Sequence, residues 1–214
     1  MLKLYTLSRS SASYRVRIAL NLKGLKYEPI TKILGKGEHR TPEYLAVNPQ
    51  GLLPALEIDG VVLSQSLAII EYLDERYPNP RLLPEDPLDR ARVRSLALAI
   101  ACDIHPINNL RVLNYLRNEL GQSEEAVNTW YRHWVSEGFR GLEVELRRYS
   151  SNRRYCYGDT LSLADVCLVP QMFNARRFDV DLTPFPTIEA ISRHLESIPE
   201  FAAARPEVQP DMQR

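Results

Sequence analysis

The sequence predicts a protein of two parts, in which a small α/β domain precedes a larger, all-helical domain. The first observation is a strand–helix–strand pattern at the amino terminus, which is typical of a parallel βαβ unit. The second is a group of prolines between residues 78 and 87, which cannot continue a helix and indicates a linker. The third is that long helical patterns follow this linker. We therefore expect one domain over residues 1–80 and another over residues 88–214.

The α/β domain is predicted to contain four strands, at residues 3–6, 26–30, 55–58 and 61–63. A helix follows the first strand, because the apolar residues between 16 and 22 recur at helical spacing. Asp59-Gly60 is a strong tight-turn signal, which predicts that the last two strands form a hairpin. A second long helix is predicted over residues 67–77, directly after this hairpin.

The second domain is predicted to be helical throughout, with patterns over residues 88–120, 123–149 and about 187–197. Pro106 lies inside the first of these patterns and predicts a break there. Ser162 and Asp165 have the spacing of a capping box, with aspartate in place of the usual glutamate, and predict a further helix start.

Composition restricts the classes of function. The 27 basic and 27 acidic side chains cancel, which argues against a nucleic-acid or membrane-surface binder. No apolar run approaches the roughly 20 residues that span a bilayer, and no secretory leader is visible. The three cysteines are widely spaced and fit a reducing cytoplasm, where we expect the protein. The four histidines lack ligand-like spacing, so no metal site is predicted.

Serines crowd the point where the first helix begins, at positions 8, 10, 11 and 13. A hydroxyl at this point can accept a hydrogen bond from the first-turn N–H groups and so cap the helix. The same N–H groups and the helix dipole also favour an anion, including a thiolate. The local pattern leaves both interpretations open.

Six motifs spread over nearly the whole chain carry a resemblance to a known family. They are RSSASYRVRIAL at 9–20, NPQ at 48–50, LPAL at 53–56, QSLAIIEYL at 65–73, CDIHPINN at 102–109 and TLSLAD at 160–165. Together they resemble the zeta class of the glutathione transferase superfamily. The resemblance implies the glutathione transferase fold, with a thioredoxin-like amino-terminal domain that binds glutathione and a helical domain that binds substrate. It also implies a homodimer.

The activity that the resemblance implies is glutathione-dependent cis–trans isomerisation of maleylacetoacetate to fumarylacetoacetate, a step of tyrosine and homogentisate breakdown. The substrate would be a small unsaturated diketo acid, and glutathione would be returned unchanged. Three alternatives stay open. They are isomerisation of maleylpyruvate in the gentisate pathway, a general glutathione transferase activity, and a non-catalytic glutathione-binding module.

The resemblance also implies the residues of the site. Ser10 would donate to the thiolate of glutathione, with Ser11 and Arg9 beside it in the catalytic set. Arg9, Arg111 and Arg177 would bind the substrate, because guanidinium groups match carboxylates and enolates in a bidentate manner. Contacts to glutathione would come from His39, Gln50, Leu53, Pro54, Gln65, Ser66, Asp103, His105 and Asn109.

One position departs from the signature of the class. The class usually has Ser-Ser-Cys where this chain has Ser10, Ser11 and Ala12. Side reactions that some relatives owe to that cysteine are therefore not implied for this chain. The isomerase chemistry is less affected, because the attacking sulfur belongs to glutathione.

Overall fold

The structure, a computed structural model, describes residues 1–212, which form two compact units. The first unit contains Met1–Leu82 together with the described residues from Ser197 onward. The second unit contains Leu83–Glu196. By its contacts, the carboxyl-terminal segment thus belongs with the first unit, whereas the domain limits 1–80 and 88–214 stay a prediction from the sequence.

The first unit is built on a sheet with the strand order β2–β1–β3–β4. The strands are β1 (Leu2–Thr6), β2 (Tyr27–Thr31), β3 (Ala55–Ile58) and β4 (Val61–Ser64). Strands β1 and β2 pair in parallel, as the βαβ pattern predicts. Strand β3 pairs antiparallel with β1 and with β4, so the predicted hairpin is also present.

The helices of this unit are α1 (Ser11–Leu22), α2 (Pro42–Val47), α3 (Ser66–Arg76) and α9 (Pro199–Ala203). Helices α3 and α9 both pack against α1, and every residue of α1 from Ser11 to Leu20 is buried. Leu4, Leu56 and Ile70 are completely removed from solvent. Burial of each such side chain contributes about 1.5–3 kcal/mol to the driving force for folding.

The register of the sheet brings three chain segments to one edge. Tyr5 of β1 pairs with Ala55 of β3, and Ala55 pairs in turn with Ser64 of β4. The end of β1, the start of β3 and the end of β4 are therefore neighbours. The loops that carry most of the predicted site residues leave the sheet at this edge.

The second unit consists of helices, in agreement with the predicted fold class. Its helices are α4 (Pro87–Leu98), α5 (Leu110–Asn118), α6 (Glu124–Tyr149), α7 (Leu163–Arg177) and α8 (Pro186–Glu196). A π-helical segment (Ala99–Ile104) and a 3-10 turn (Pro106–Asn108) separate α4 from α5, so the break predicted at Pro106 is confirmed. Within residues 1–212, no helix is long and apolar enough to cross a membrane.

The predicted capping box lies at the start of α7. Asp165 Oδ2 accepts hydrogen bonds from the Ser162 backbone N–H at 2.7 Å and from Ser162 Oγ at 2.8 Å. Asp165 Oδ1 accepts a third, from the Cys156 N–H at 2.7 Å. Burial nevertheless raises the pKa of this carboxyl to about 6, because these hydrogen bonds offset only part of the lost hydration.

Candidate functional site

The serine turn, residues 7–10, joins β1 to α1. The Ser10 N–H donates to the Leu7 carbonyl at 3.1 Å and closes the turn. Ser10 is the N-cap of α1, and its Oγ accepts a hydrogen bond from the Ser13 N–H at 3.2 Å. Since the cap uses a lone pair, the hydroxyl proton can still be donated to an anion. The two interpretations of the serine cluster are thus compatible in one residue.

Burial distinguishes Ser10 from its neighbours. Ser8, Ser11 and Ser13 are 3%, 4% and 0% exposed, whereas Ser10 is half-buried. Among these four serines, Ser10 is therefore the most accessible to solvent. Arg9 is exposed directly beside it, which leaves its guanidinium available to an anionic ligand.

The loop before β3 carries a cis peptide bond between Leu53 and Pro54. The carbonyl of Leu52 accepts two hydrogen bonds, from Tyr44 Oη at 2.6 Å and from Asn48 Nδ2 at 2.9 Å. Asn48 Oδ1 also accepts the Gln50 N–H at 3.2 Å. Asn48 and Tyr44 are almost fully buried, so they fix the backbone of this loop from inside the unit.

The start of α3 has the features of an anion site. Gln65 has a φ of 70°, a conformation that non-glycine residues rarely adopt and that occurs often at ligand sites. Gln65 Nε2 donates to Gln50 Oε1 at 2.8 Å, which brings two of the predicted glutathione residues together. Buried Arg15 donates to Ser66 Oγ at 3.4 Å. First-turn N–H groups and a buried cation behind them both favour a carboxylate here.

His39 lies in a 3-10 turn (Glu38–Arg40) that follows β2. Its Nδ1 is buried and has no hydrogen-bond partner within residues 1–212. Burial, and then the charge of Arg40, lower the pKa of the imidazole, so His39 is neutral at pH 7. Gly51 packs closely on this turn, since a Cβ at its φ of 59° would lie 3.0 Å from the His39 carbonyl oxygen. The turn and the Gln50 loop are therefore adjacent.

The other predicted residues lie in the second unit. Asp103 is exposed in the π-helical segment, and His105 follows it before the 3-10 turn. Asn109 is the N-cap of α5, and its Oδ1 accepts the Arg111 N–H at 3.2 Å. The side chain of Arg111 is exposed in the first turn of α5.

Arg177 lies at the end of α7 on an aromatic platform. Its guanidinium carbon is 4.8 Å from the centroid of the Phe178 ring. Phe178 stacks on Tyr131 with centroids 3.6 Å apart and an angle of 10° between the rings. Burial raises the pKa of Tyr131 further above its ordinary value, so this platform is uncharged at neutral pH. The guanidinium of Arg177 is thus close enough to the Phe178 ring for a cation–π interaction.

Two buried arginines of α1, Arg15 and Arg17, contact segments of the candidate site and were not predicted from the sequence. They stand between apolar residues in a helix that is buried along most of its length. A charged residue flanked by such neighbours is the signal that would have identified them, because buried charges in proteins are paired or hydrogen-bonded.

Residues 4–81 match the family model described as glutathione S-transferase, N-terminal domain. Over 211 residues the chain is 55% identical to a protein of Vibrio cholerae named probable maleylacetoacetate isomerase, and the match covers 97% of each chain. These two similarities concern sequence alone, and the second extends over both units.

Solved structures agree with the sequence matches. The holo structure of maleyl pyruvate isomerase, a bacterial zeta-class glutathione transferase, has a TM-score of 0.95 and 51% identity over 98% of this chain and 99% of that one. Maleylacetoacetate isomerase from Anaeromyxobacter dehalogenans, solved with bound GSH in the active site, has a TM-score of 0.88 and 40% identity over 99% and 98% of the two chains. The chain therefore belongs to the glutathione transferase family, in its zeta class, as the motifs predict.

Proposed function

We propose that this chain catalyses the cis–trans isomerisation of maleylacetoacetate to fumarylacetoacetate with glutathione as its cofactor. The observation that carries the proposal is Ser10, a half-buried N-cap serine whose hydroxyl proton can be donated to an anion. The name of the Vibrio cholerae relative supports the reaction. The bound GSH of the Anaeromyxobacter dehalogenans structure supports the cofactor.

The residues at this edge of the sheet fit the charges of glutathione. A free thiol has a pKa of about 8.5 and is mostly protonated at neutral pH, so it needs stabilisation as a thiolate. The Ser10 hydroxyl and the amino terminus of α1 supply a donor and a favourable dipole. Ser66 and the amino terminus of α3 suit the γ-glutamyl carboxylate. Gln50 and His39 are proposed for the glycyl end.

A carbon–carbon double bond does not rotate at physiological temperature, so it must become single for a time. Glutathione, when bound, supplies a thiolate that adds reversibly to such a bond. We assign Ser10 to hold this sulfur by a hydrogen bond. Arg9 would bind the carboxylate of the substrate and neutralise the negative charge that the reaction places on its carbonyl oxygen.

Residues of the second unit complete the proposal. Arg111 and Arg177 are proposed as further substrate-binding residues because both are exposed arginines. Asp103, His105 and Asn109 are proposed as glutathione contacts. For Asn109, the Nδ2 group is the donor that remains, because Oδ1 caps α5.

The proposal extends to assembly and location. A homodimer in the cytoplasm that serves tyrosine breakdown is supported by membership of the family. Light scattering coupled to size exclusion should give twice the mass of the chain. A stable and fully active monomer would contradict the dimer.

Isomerisation of maleylpyruvate is the second candidate reaction, favoured by the TM-score of 0.95 to the structure of that name. Rates for both cis substrates, each measured with and without glutathione, test the proposal. We expect rapid turnover of maleylacetoacetate that needs glutathione. Faster turnover of maleylpyruvate would favour the second candidate. Activity toward halogenated acids alone would indicate a general transferase, and failure to bind glutathione a non-catalytic module.

A further inference from the structure

Arg17 contacts the serine turn from the interior of the first unit. Its side chain is almost fully buried. Arg17 Nη1 donates to Thr6 Oγ1 at 3.2 Å and to the Leu7 carbonyl at 3.1 Å. Arg17 Nη2 donates to the Ser8 carbonyl at 2.9 Å. A single guanidinium thus fixes three consecutive residues, namely the last residue of β1 and the first two residues after it.

The carbonyl of Leu7 links this guanidinium to Ser10. It accepts the hydrogen bond from Arg17 Nη1 and also the one from the Ser10 N–H, each at 3.1 Å. Arg17 is therefore separated from the proposed thiolate donor by one peptide carbonyl. Displacement of Leu7 would move the backbone of Ser10 and the hydroxyl that it carries.

The terminal segment, residues 199–211, contacts both Arg17 and the same turn. Arg17 Nε donates to the Ala204 carbonyl at 3.1 Å. The Ser8 N–H donates to Asp211 Oδ2 at 2.8 Å, a hydrogen bond between residues 203 positions apart. Completely buried Phe201 anchors the segment in the unit.

Charge makes these contacts strong. Burial lowers the pKa of Arg17 to about 10, so the guanidinium stays charged at neutral pH. The carboxylate of Asp211 acts in the opposite direction and favours that charge. Hydrogen bonds with an ionised partner are roughly twice as strong as neutral ones. The turn is thus fixed between a buried cation and a carboxylate.

We propose that Arg17 and Asp211 are positioning residues for Ser10, and that the terminal segment forms part of the thiol-activating structure. Neither side chain is assigned a contact with glutathione or with the substrate. The proposal rests on the proposed function only in that Ser10 acts on the sulfur of glutathione. Residues near the carboxyl terminus thereby set the geometry at the amino-terminal end of α1.

Asp211→Ala tests this proposal, with Glu207→Ala as the matched control. Both changes remove one carboxylate from the same segment, but Glu207 is exposed in a 3-10 turn (Pro206–Val208). In protein without glutathione, Asp211→Ala should speed hydrogen exchange at the Ser8 and Ser10 amides, and Glu207→Ala should not. Exchange at Ala19, farther along α1, should stay slow in both variants.

Ultraviolet titration of the bound thiol and steady-state kinetics provide the functional readout. In Asp211→Ala the pKa of bound glutathione should rise by about 0.5 and kcat should fall about threefold. The KM for glutathione should change little, because the residues proposed to bind the carboxylates of glutathione are unchanged. Asp211→Asn keeps an acceptor for the Ser8 N–H and should restore part of the loss.

Arg17→Lys is a second variant, which keeps the charge but loses the directions of the guanidinium donors. It should raise the pKa of the bound thiol at least as much as Asp211→Ala. Equal exchange at the Ser8 and Ser10 amides in Asp211→Ala and Glu207→Ala would overturn the positioning role. Because exchange is measured without glutathione, this result is independent of whether the proposed reaction occurs.

Discussion

Lys23 Nζ lies 2.6 Å from Asp74 Oδ1, and the two side chains are 0% and 6% exposed. Lys23 also donates to the Pro80 carbonyl, and Asp74 accepts the Leu82 N–H at 2.8 Å. Lys23 is the C-cap of α1 and Asp74 belongs to α3. This ion pair therefore connects α1 with α3, the two helices whose amino termini belong to the candidate site. Through Pro80 and Leu82 it also holds the chain that follows α3.

Asp74→Ala should destabilise the protein strongly, since it leaves a buried ammonium group without its carboxylate. Removal of one partner of such a pair costs about 3–5 kcal/mol. Urea denaturation measures the loss. As a control, Glu57→Ala removes the partner of Lys3 in a pair whose side chains are 37% and 25% exposed, and it should cost far less. Similar losses for the two variants would contradict the importance of burial.

Asn48→Ala should weaken glutathione binding more than it slows turnover. The change removes the donor to the Leu52 carbonyl and the acceptor of the Gln50 N–H, so the loop before β3 loses its fixed backbone. We expect the Kd for glutathione to rise roughly tenfold, which corresponds to about 1.4 kcal/mol. Isothermal titration measures it. Tyr44→Phe removes one donor only and should have the smaller effect; an unchanged Kd in Asn48→Ala would be evidence against the role of this loop.

Arg9→Met should lower kcat/KM for the cis substrate and leave the Kd for glutathione unchanged. Hydrogen bonds between charged groups contribute about 1.5–3 kcal/mol, so the loss should be tenfold or more, in order of magnitude. Arg9→Lys keeps the charge without the bidentate geometry. Its kcat/KM should therefore lie between those of the wild type and Arg9→Met. Unaltered KM and turnover in Arg9→Met would remove Arg9 from the substrate site.

Asp165 should make stability fall as pH rises from about 4 to about 6. Its ordinary pKa is 3.8, and burial raises the pKa to about 6 in the folded protein. Between these values the folded protein binds more protons than the unfolded chain, so the free energy of unfolding decreases with rising pH. Relative to Asp165→Asn, the wild type should lose roughly 2–3 kcal/mol over this window. Denaturation curves at a series of pH values measure the difference, and parallel curves would contradict the shifted pKa.

The fold could be predicted from the sequence because its signals are local. The helical spacing of apolar residues between 16 and 22, the Asp59-Gly60 turn and the break at Pro106 depend on neighbouring residues, and the structure confirms each of them. Helix α9 was not predicted, since five residues are too few for a helical period to be recognised. The packing of α9 against α1 joins parts of the chain that are far apart in sequence. A local sequence pattern cannot predict such a contact.

The candidate site could be predicted from the sequence where it depends on residue type, and not where it depends on tertiary contacts. Ser10, Gln65 and Ser66 were identified from helix starts and family motifs. Arg17 and Asp211 were missed because their partners are backbone groups and because 194 positions separate the two residues in the sequence. Every residue has a backbone carbonyl that can accept a hydrogen bond. Such hydrogen bonds therefore do not restrict the residue type at the accepting positions.

Ser10→Ala should reduce turnover far more than stability. Loss of the N-cap costs about 1 kcal/mol of stability, whereas loss of the donor to the sulfur should reduce kcat by about 100-fold. Ser10→Asp separates the two roles, because aspartate caps a helix as well as serine does but repels a thiolate. We expect Ser10→Asp to unfold at nearly the wild-type denaturant concentration and to be inactive. Equal losses of stability and turnover in Ser10→Ala would contradict the catalytic role.

The most direct test is the pKa of the glutathione thiol in its complex with the protein, followed by the ultraviolet absorbance of the thiolate. In the wild-type complex this pKa should lie well below the ordinary value of about 8.5. In Ser10→Ala it should return most of the way to that value. The same low pKa in wild type and Ser10→Ala, with both saturated by glutathione, would show that Ser10 does not stabilise the thiolate.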